Sequence, residues 1–96
     1  MVIYKYPLES ERFKRFSVIY LPRRAQILHC GFQNEDLYLW ALIDKKEKIQ
    51  TERHIFVAFT GEIFPPEDLV YNFLNTAQNN GVPFHFFEIY PPQLQL

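Results

Sequence analysis

From Ala25 to Asp44 the chain reads AQILHCGFQNEDLYLWALID, and apolar residues fill alternate positions on both sides of a polar break. A period of two is the signature of β-strands, so this stretch predicts two strands, with Gln33, Asn34 and Glu35 as a hairpin turn. The second strand has no polar face. Leu37, Leu39, Ala41 and Ile43 alternate with Tyr38, Trp40 and Leu42. A strand apolar on both sides sits between layers or at a boundary between subunits. A chain of 96 residues removes only roughly 60–65% of its unfolded surface from water, so a subunit boundary is a serious alternative to a second layer. We therefore expect a homo-oligomer, most simply a dimer.

The same alternation runs through the rest of the chain. VIYKY opens as an edge-like strand and stops at Pro7; RFSVIYL alternates Phe16, Val18 and Tyr20 against Ser17, Ile19 and Leu21 and stops at Pro22. RHIFVAF ends at Thr60-Gly61, and VPFHFFEIY closes at Pro91-Pro92. LESERFKR is a loop or one helical turn, DKKEKIQTE a charged connection, and IFPPED a bend stiffened by two prolines. The segment PPEDLVYNFLNTAQNNG carries two signals. Leu69, Val70, Phe73, Leu74 and Ala77 recur at helical spacing, with Pro and acids before them and Gly after. Asn79-Asn80-Gly81 before VPFHFF is equally a hairpin turn, which would make VYNFLNTAQ a strand. The expected architecture is all-β: one domain over residues 1–92, a small sandwich or barrel of six to seven mostly antiparallel strands, with a frayed tail at 93–96.

Composition narrows the function classes. No apolar run approaches the ~20 residues of a membrane-spanning helix, and Lys5 and Pro7 interrupt the N-terminal stretch, so neither a span nor a secretory leader is expected. One cysteine forms no internal disulfide, and a cytoplasmic setting is the default. The formal net charge of −1 hides an asymmetry: all ten Lys and Arg residues fall between Lys5 and Arg53, and the rest holds four acids and no Lys or Arg. Any anion site must draw its cations from the first half. Duplex nucleic acid, which needs a concentrated basic face, is disfavoured.

Each candidate for chemistry has a plainer competing role. His29 and Cys30 are neighbours on a strand and point to opposite faces, so they form no nucleophile–base pair. Cys30 among Leu28 and Phe32 reads as a small buried hydrophobe. His29, His54 and His85 lie in separate strands without short metal-ligand spacing, so no metal and no cofactor is expected. Glu88, the one carboxylate in FHFFEIY, must be exposed at an edge or paired with a cation, and Arg53 is the natural partner. Glycines occur in no phosphate-binding spacing. What remains is cations beside aromatics: Arg23 and Arg24 after the strand of Tyr20, and Arg53 before Phe56. Guanidinium groups with ring faces suit nucleotide-like anions, though arginines flanking strands also guard edges.

IYKYPL (3–8), AQILHCGFQNEDLYLWALID (25–44), RHIFVAFTG (53–61), FLNTAQ (73–78) and FHFFEI (84–89) together resemble an uncharacterised family of short phage and prophage proteins. Leu39-Trp40-Ala41-Leu42-Ile43-Asp44 is the most specific block of that resemblance. Members read similarly along their length, with an aliphatic residue where Cys30 stands, a glycine where Asn75 stands and a less basic link than Lys45–Glu52. Asn and Gly both tolerate left-handed backbone, so a bulged strand remains open at Asn75, and the resemblance implies strand rather than helix over residues 71–78. It implies phage origin, an infected bacterial host and an all-β fold, and it carries no reaction. The function expected is a non-enzymatic counter-defence binder that sequesters an anionic nucleotide-like ligand or masks a host defence protein. Its ligand contacts would come from Arg23, Arg24, His29, Trp40 and Arg53. The rival is a structural or packaging-related virion component; a hydrolase using His29 or His85 with Glu88 ranks last.

Overall fold

The computed structural model describes residues 1–8, 15–63 and 70–90. The polar stretch 9–14, the proline bend 64–69 and everything from 91 on, including the frayed tail expected at 93–96, lie outside the described residues. Seven strands follow one another: β1 (Val2–Pro7), β2 (Phe16–Pro22), β3 (Gln26–Gln33), β4 (Asp36–Ile43), β5 (Gln50–Phe59), β6 (Val70–Asn79) and β7 (Val82–Tyr90). They form two antiparallel sheets, a three-stranded β1-β4-β3 and a four-stranded β2-β5-β7-β6. The all-β expectation holds, and the architecture is a sandwich.

Two tight turns set the register. Asn34 and Glu35 carry φ of 53° and 69°, and Gln33 pairs with Asp36 across them. Asn80 and Gly81, with φ of 52° and 79°, join Asn79 to Val82 in the same way. Positive φ at both central residues is what a two-residue hairpin with the right twist requires. The second turn settles the ambiguous segment. The chain from Val70 to Asn79 pairs with β7 along its whole length, so its helical spacing of apolar residues is overruled by the turn and by the partner strand.

The core lies between the layers. Leu37, Leu39, Ala41 and Ile43 of β4 face Leu21 of β2, Ile55 and Val57 of β5, and Phe86 of β7; Leu21, Leu39 and Phe86 have no exposed surface. One polar device ties the two sheets together, and a second braces the interior and the β2–β3 turn. At one margin, edge strands β3 and β6 lie side by side. The register of β6 slips between Phe73 and Asn75, so the strand is bulged there, without a left-handed φ at Asn75. There the Asn75 amide completes the backbone of Cys30: the Cys30 N–H donates to Oδ1 at 2.8 Å and Nδ2 donates to the Cys30 carbonyl at 2.8 Å. One side chain thus imitates a strand neighbour and satisfies two groups that an edge would leave unpaired.

The second device is ionic. Arg53 and Glu88 both point inward from the four-stranded sheet, and Glu88 is buried. Arg53 Nε and Nη2 grip the carboxylate in a fork, the latter at 2.9 Å, while Nη1 donates to the Ala25 carbonyl at 2.9 Å. The Tyr90 hydroxyl donates to Glu88 Oε1 at 3.3 Å. Arg53 therefore pins the β2–β3 turn to the interior, and the expected partner of Glu88 is in place. The fork raises the Arg53 pKa further.

Candidate functional site

Alternation fixes what each sheet shows to water. On the three-stranded sheet, Lys5 of β1 pairs with Trp40 of β4, and Trp40 pairs with His29 of β3, so a cation, an indole and an imidazole form one row. The next row holds Pro7, Tyr38 and Gly31. The His29 and Trp40 rings lie 5.9 Å apart and the Tyr38 and Trp40 rings 6.1 Å apart. Lys5 Nζ sits 4.4 Å over the Tyr38 ring and donates to Gln33 Oε1 at 2.7 Å. Gly31 makes this surface continuous. A Cβ there would come within 2.8 Å of His29 Nε2, so the imidazole occupies space that any side chain at 31 would contest. His29 is exposed, while Trp40 and Tyr38 are half-buried.

The five residues expected to hold a ligand divide into three groups. His29 and Trp40 meet, as described. Arg23 and Arg24 lie in the β2–β3 turn, where Arg24 adopts φ of 69° and Arg23 pairs with Glu47 at 3.4 Å. Arg53 is turned inward and committed to Glu88 and Ala25. Lys5 and Tyr38 join His29 and Trp40 instead. Tyr38 could have been found by counting two residues back from Trp40; Lys5 needs the β1–β4 register, which no local pattern reveals.

Near that turn the margin between β1 and β2 holds a groove of about 370 Å³, lined by Tyr4, Tyr6, Pro22 and Ile43 and by Lys45 between Asp44 and Glu47. Its acids offset its lysine, so it has no anion-selective field. Cys30 and His85 are occupied structurally. Cys30 is fully buried, and burial, with the nearby Glu88 charge, pushes its thiol up to about 12. Such a thiol stays protonated at neutral pH and is a poor nucleophile. His85 is held between the hydroxyls of Thr60 and Thr76 at 2.7 and 2.8 Å. Among the described residues, no group of three or more His, Cys, Asp or Glu side chains is placed to hold a metal ion. Nor, among them, is any helix long and apolar enough to cross a membrane.

A family described as "Domain of unknown function (DUF7352)" matches residues 1–95, nearly the whole chain. The chain belongs to that family. DUF7352 thus covers both sheets and the row Lys5–Trp40–His29, and its description assigns none of them an activity. The chain matches no curated protein and no solved structure.

Proposed function

We propose that this DUF7352 protein is a non-enzymatic binding protein that masks a partner protein with the outer face of its three-stranded sheet. The row Lys5–Trp40–His29, flanked by Tyr38, carries this reading. Trp and Tyr are the side chains that most often dominate binding energy, because each offers a large rigid ring and a polar edge. The face is an open sheet surface. Small ligands are sequestered in concave sites that enclose most of their area, which favours a protein surface over the nucleotide-like anion. The resemblance to short phage proteins makes a host defence component the natural partner and the infected bacterial cytoplasm the natural setting. The protein works as a homo-oligomer.

The test is phage plating on bacteria that carry a panel of defence systems, with and without this protein. We expect relief of one system by the wild type. Trp40→Ala should lose it, since removing an interface anchor costs roughly 2 kcal/mol, about 30-fold in affinity. A thermal-shift panel of nucleotides, cyclic dinucleotides and adenosine-diphosphate-ribose derivatives runs in parallel, because any tight ligand raises the melting temperature. Full activity of Trp40→Ala, or a specific nucleotide shift, overturns masking by this face. Co-purification with virions in place of relief assigns the protein to the particle.

A further inference from the structure

The rows Lys5–Trp40–His29 and Pro7–Tyr38–Gly31 share a bias in what they offer a partner. An indole N–H and an ammonium only donate hydrogen bonds, and a phenol readily does. Lys5 spends one donor on Gln33 Oε1. Among the described residues neither Trp40 Nε1 nor the Tyr38 hydroxyl has a hydrogen-bond partner. β4 is the central strand, so its backbone groups are spent on β1 and β3, and the face offers side chains alone. Lys5 and Asp36 are the formal charges in these three strands, one of each sign. The rings are not coplanar. The imidazole is tilted 46° and the Tyr38 ring 58° to the indole, at separations of 5.9 and 6.1 Å. The missing side chain at Gly31 lets the imidazole lean over the β3 backbone towards the Tyr38 row.

We propose that the part of the partner seated on this face is a proline-rich segment in the polyproline II conformation, an inference that rests on the masking role proposed for the face. Electrostatic complementarity selects this occupant. Proline has a carbonyl and no N–H, so a proline run is acceptor-only along its backbone and suits a face of donors. An added strand would bring N–H groups of its own, and β4 has no free carbonyl to receive them. A docked helix needs an apolar groove for its i, i+3, i+4 and i+7 side chains, which a row ending in Lys5 does not supply. Charge agrees. With Lys5 balanced by Asp36, an uncharged segment covers the rings without burying an unpaired ion of its own. Spacing agrees as well. A polyproline II chain rises ~3.1 Å per residue, so two residues advance ~6.2 Å. That matches the separations of the three rings. Aromatic-lined surfaces take such segments because the chain is already extended and loses little entropy on binding.

Trp40 is the one tryptophan of the chain, so its fluorescence reports on this face. The experiment titrates the full chain with an end-blocked decaproline peptide, with a Gly-Ser decapeptide as control. We expect a saturable shift of Trp40 emission with decaproline and none with the control. Tyr38→Phe loses only the hydroxyl and should weaken binding up to ~10-fold, the worth of one hydrogen bond. His29→Ala removes one ring and should weaken it too; both variants keep the Trp40 reporter. No saturable shift at millimolar decaproline overturns the proposal, as does an equal shift with the Gly-Ser peptide. Decaproline binding unaltered in both folded variants overturns it too. Failure here is separable from failure of masking. Relief of a defence system that is lost in Trp40→Ala, without decaproline binding, overturns the proline segment and keeps the masking face. Decaproline binding without relief keeps the proline site and removes the masking role.

Discussion

The two outer faces of this sandwich start from the same rule and end with different chemistry. On the three-stranded sheet every ring has a polar companion: Lys5 over Tyr38, and His29 beside Trp40. On the four-stranded sheet the row Phe16–Phe56–Phe87–Phe73 crosses all four strands, with His54 beside Phe16 and the Arg15 guanidinium over Phe56 at the β2 end. A face that mixes rings with donors tolerates water and can release what it binds. If the masking proposal holds, the mixed face of Lys5, Trp40 and His29 is the surface suited to exchange. It acts independently of the other face, provided the interior holding both stays intact.

The strongest way to break that independence is to damage the shared interior. Glu88→Ala leaves the part-buried Arg53 guanidinium with only the Ala25 carbonyl, and breaking such a pair from one side costs up to roughly 3 kcal/mol. For a domain of this size that is a large share of total stability. The Trp40 face should fail with it, read as loss of the cooperative melting transition along with loss of binding. A Glu88→Ala protein that melts like wild type would mean the fork does not hold the interior together.

How far these features could be read in the sequence depends on their range. Strand alternation, the Asn34-Glu35 turn and the partnership of Arg53 with Glu88 follow from local pattern or from the cost of burying a charge. The phenylalanine row does not. Phe16, Phe56, Phe73 and Phe87 are scattered over four strands and align only through three separate registers. The strand order β2-β5-β7-β6 is likewise non-local. Arg53 was expected both as the Glu88 partner and as a ligand contact, and local sequence gave no means of choosing. Packing chose, because a guanidinium that spends its donors on Glu88 and Ala25 has little left for a ligand.

A smaller effect sharpens the comparison at the seam between β3 and β6. Asn75→Ala strands the N–H and carbonyl of Cys30 together, at a cost of about 2 kcal/mol, or roughly 10 °C in melting temperature. Cys30 reports the opening. Its thiol, buried and pushed up to about 12, should resist alkylation in the wild type and react about 30-fold faster once the seam opens that much more often. The same thiol sets a pH dependence. Its folded pKa lies above the reference value of 9.0, so folding favours the protonated form. Its contribution is fully present below pH 9 and is lost as pH rises from 9 towards 12. The Tyr90 hydroxyl, raised chiefly by burial, adds a loss of the same sign above 10.0. Stability that held constant from pH 8 to 11 would contradict the burial of the Cys30 thiol.

The smallest expected effect on stability is at Gly31, and it isolates one face from the other. Gly31→Ala places a methyl within 2.8 Å of His29 Nε2, so the imidazole must swing off its position beside Trp40. The collision is with the far end of an exposed side chain, which can move at low cost, and the melting temperature should change by only a few degrees. Binding is another matter. If the masking surface is the continuous patch of Trp40, Tyr38 and His29, displacing one ring should weaken it measurably, while His29→Ala in the same background adds nothing further because the contact is already gone. Binding at wild-type strength in Gly31→Ala would take His29 out of the masking surface.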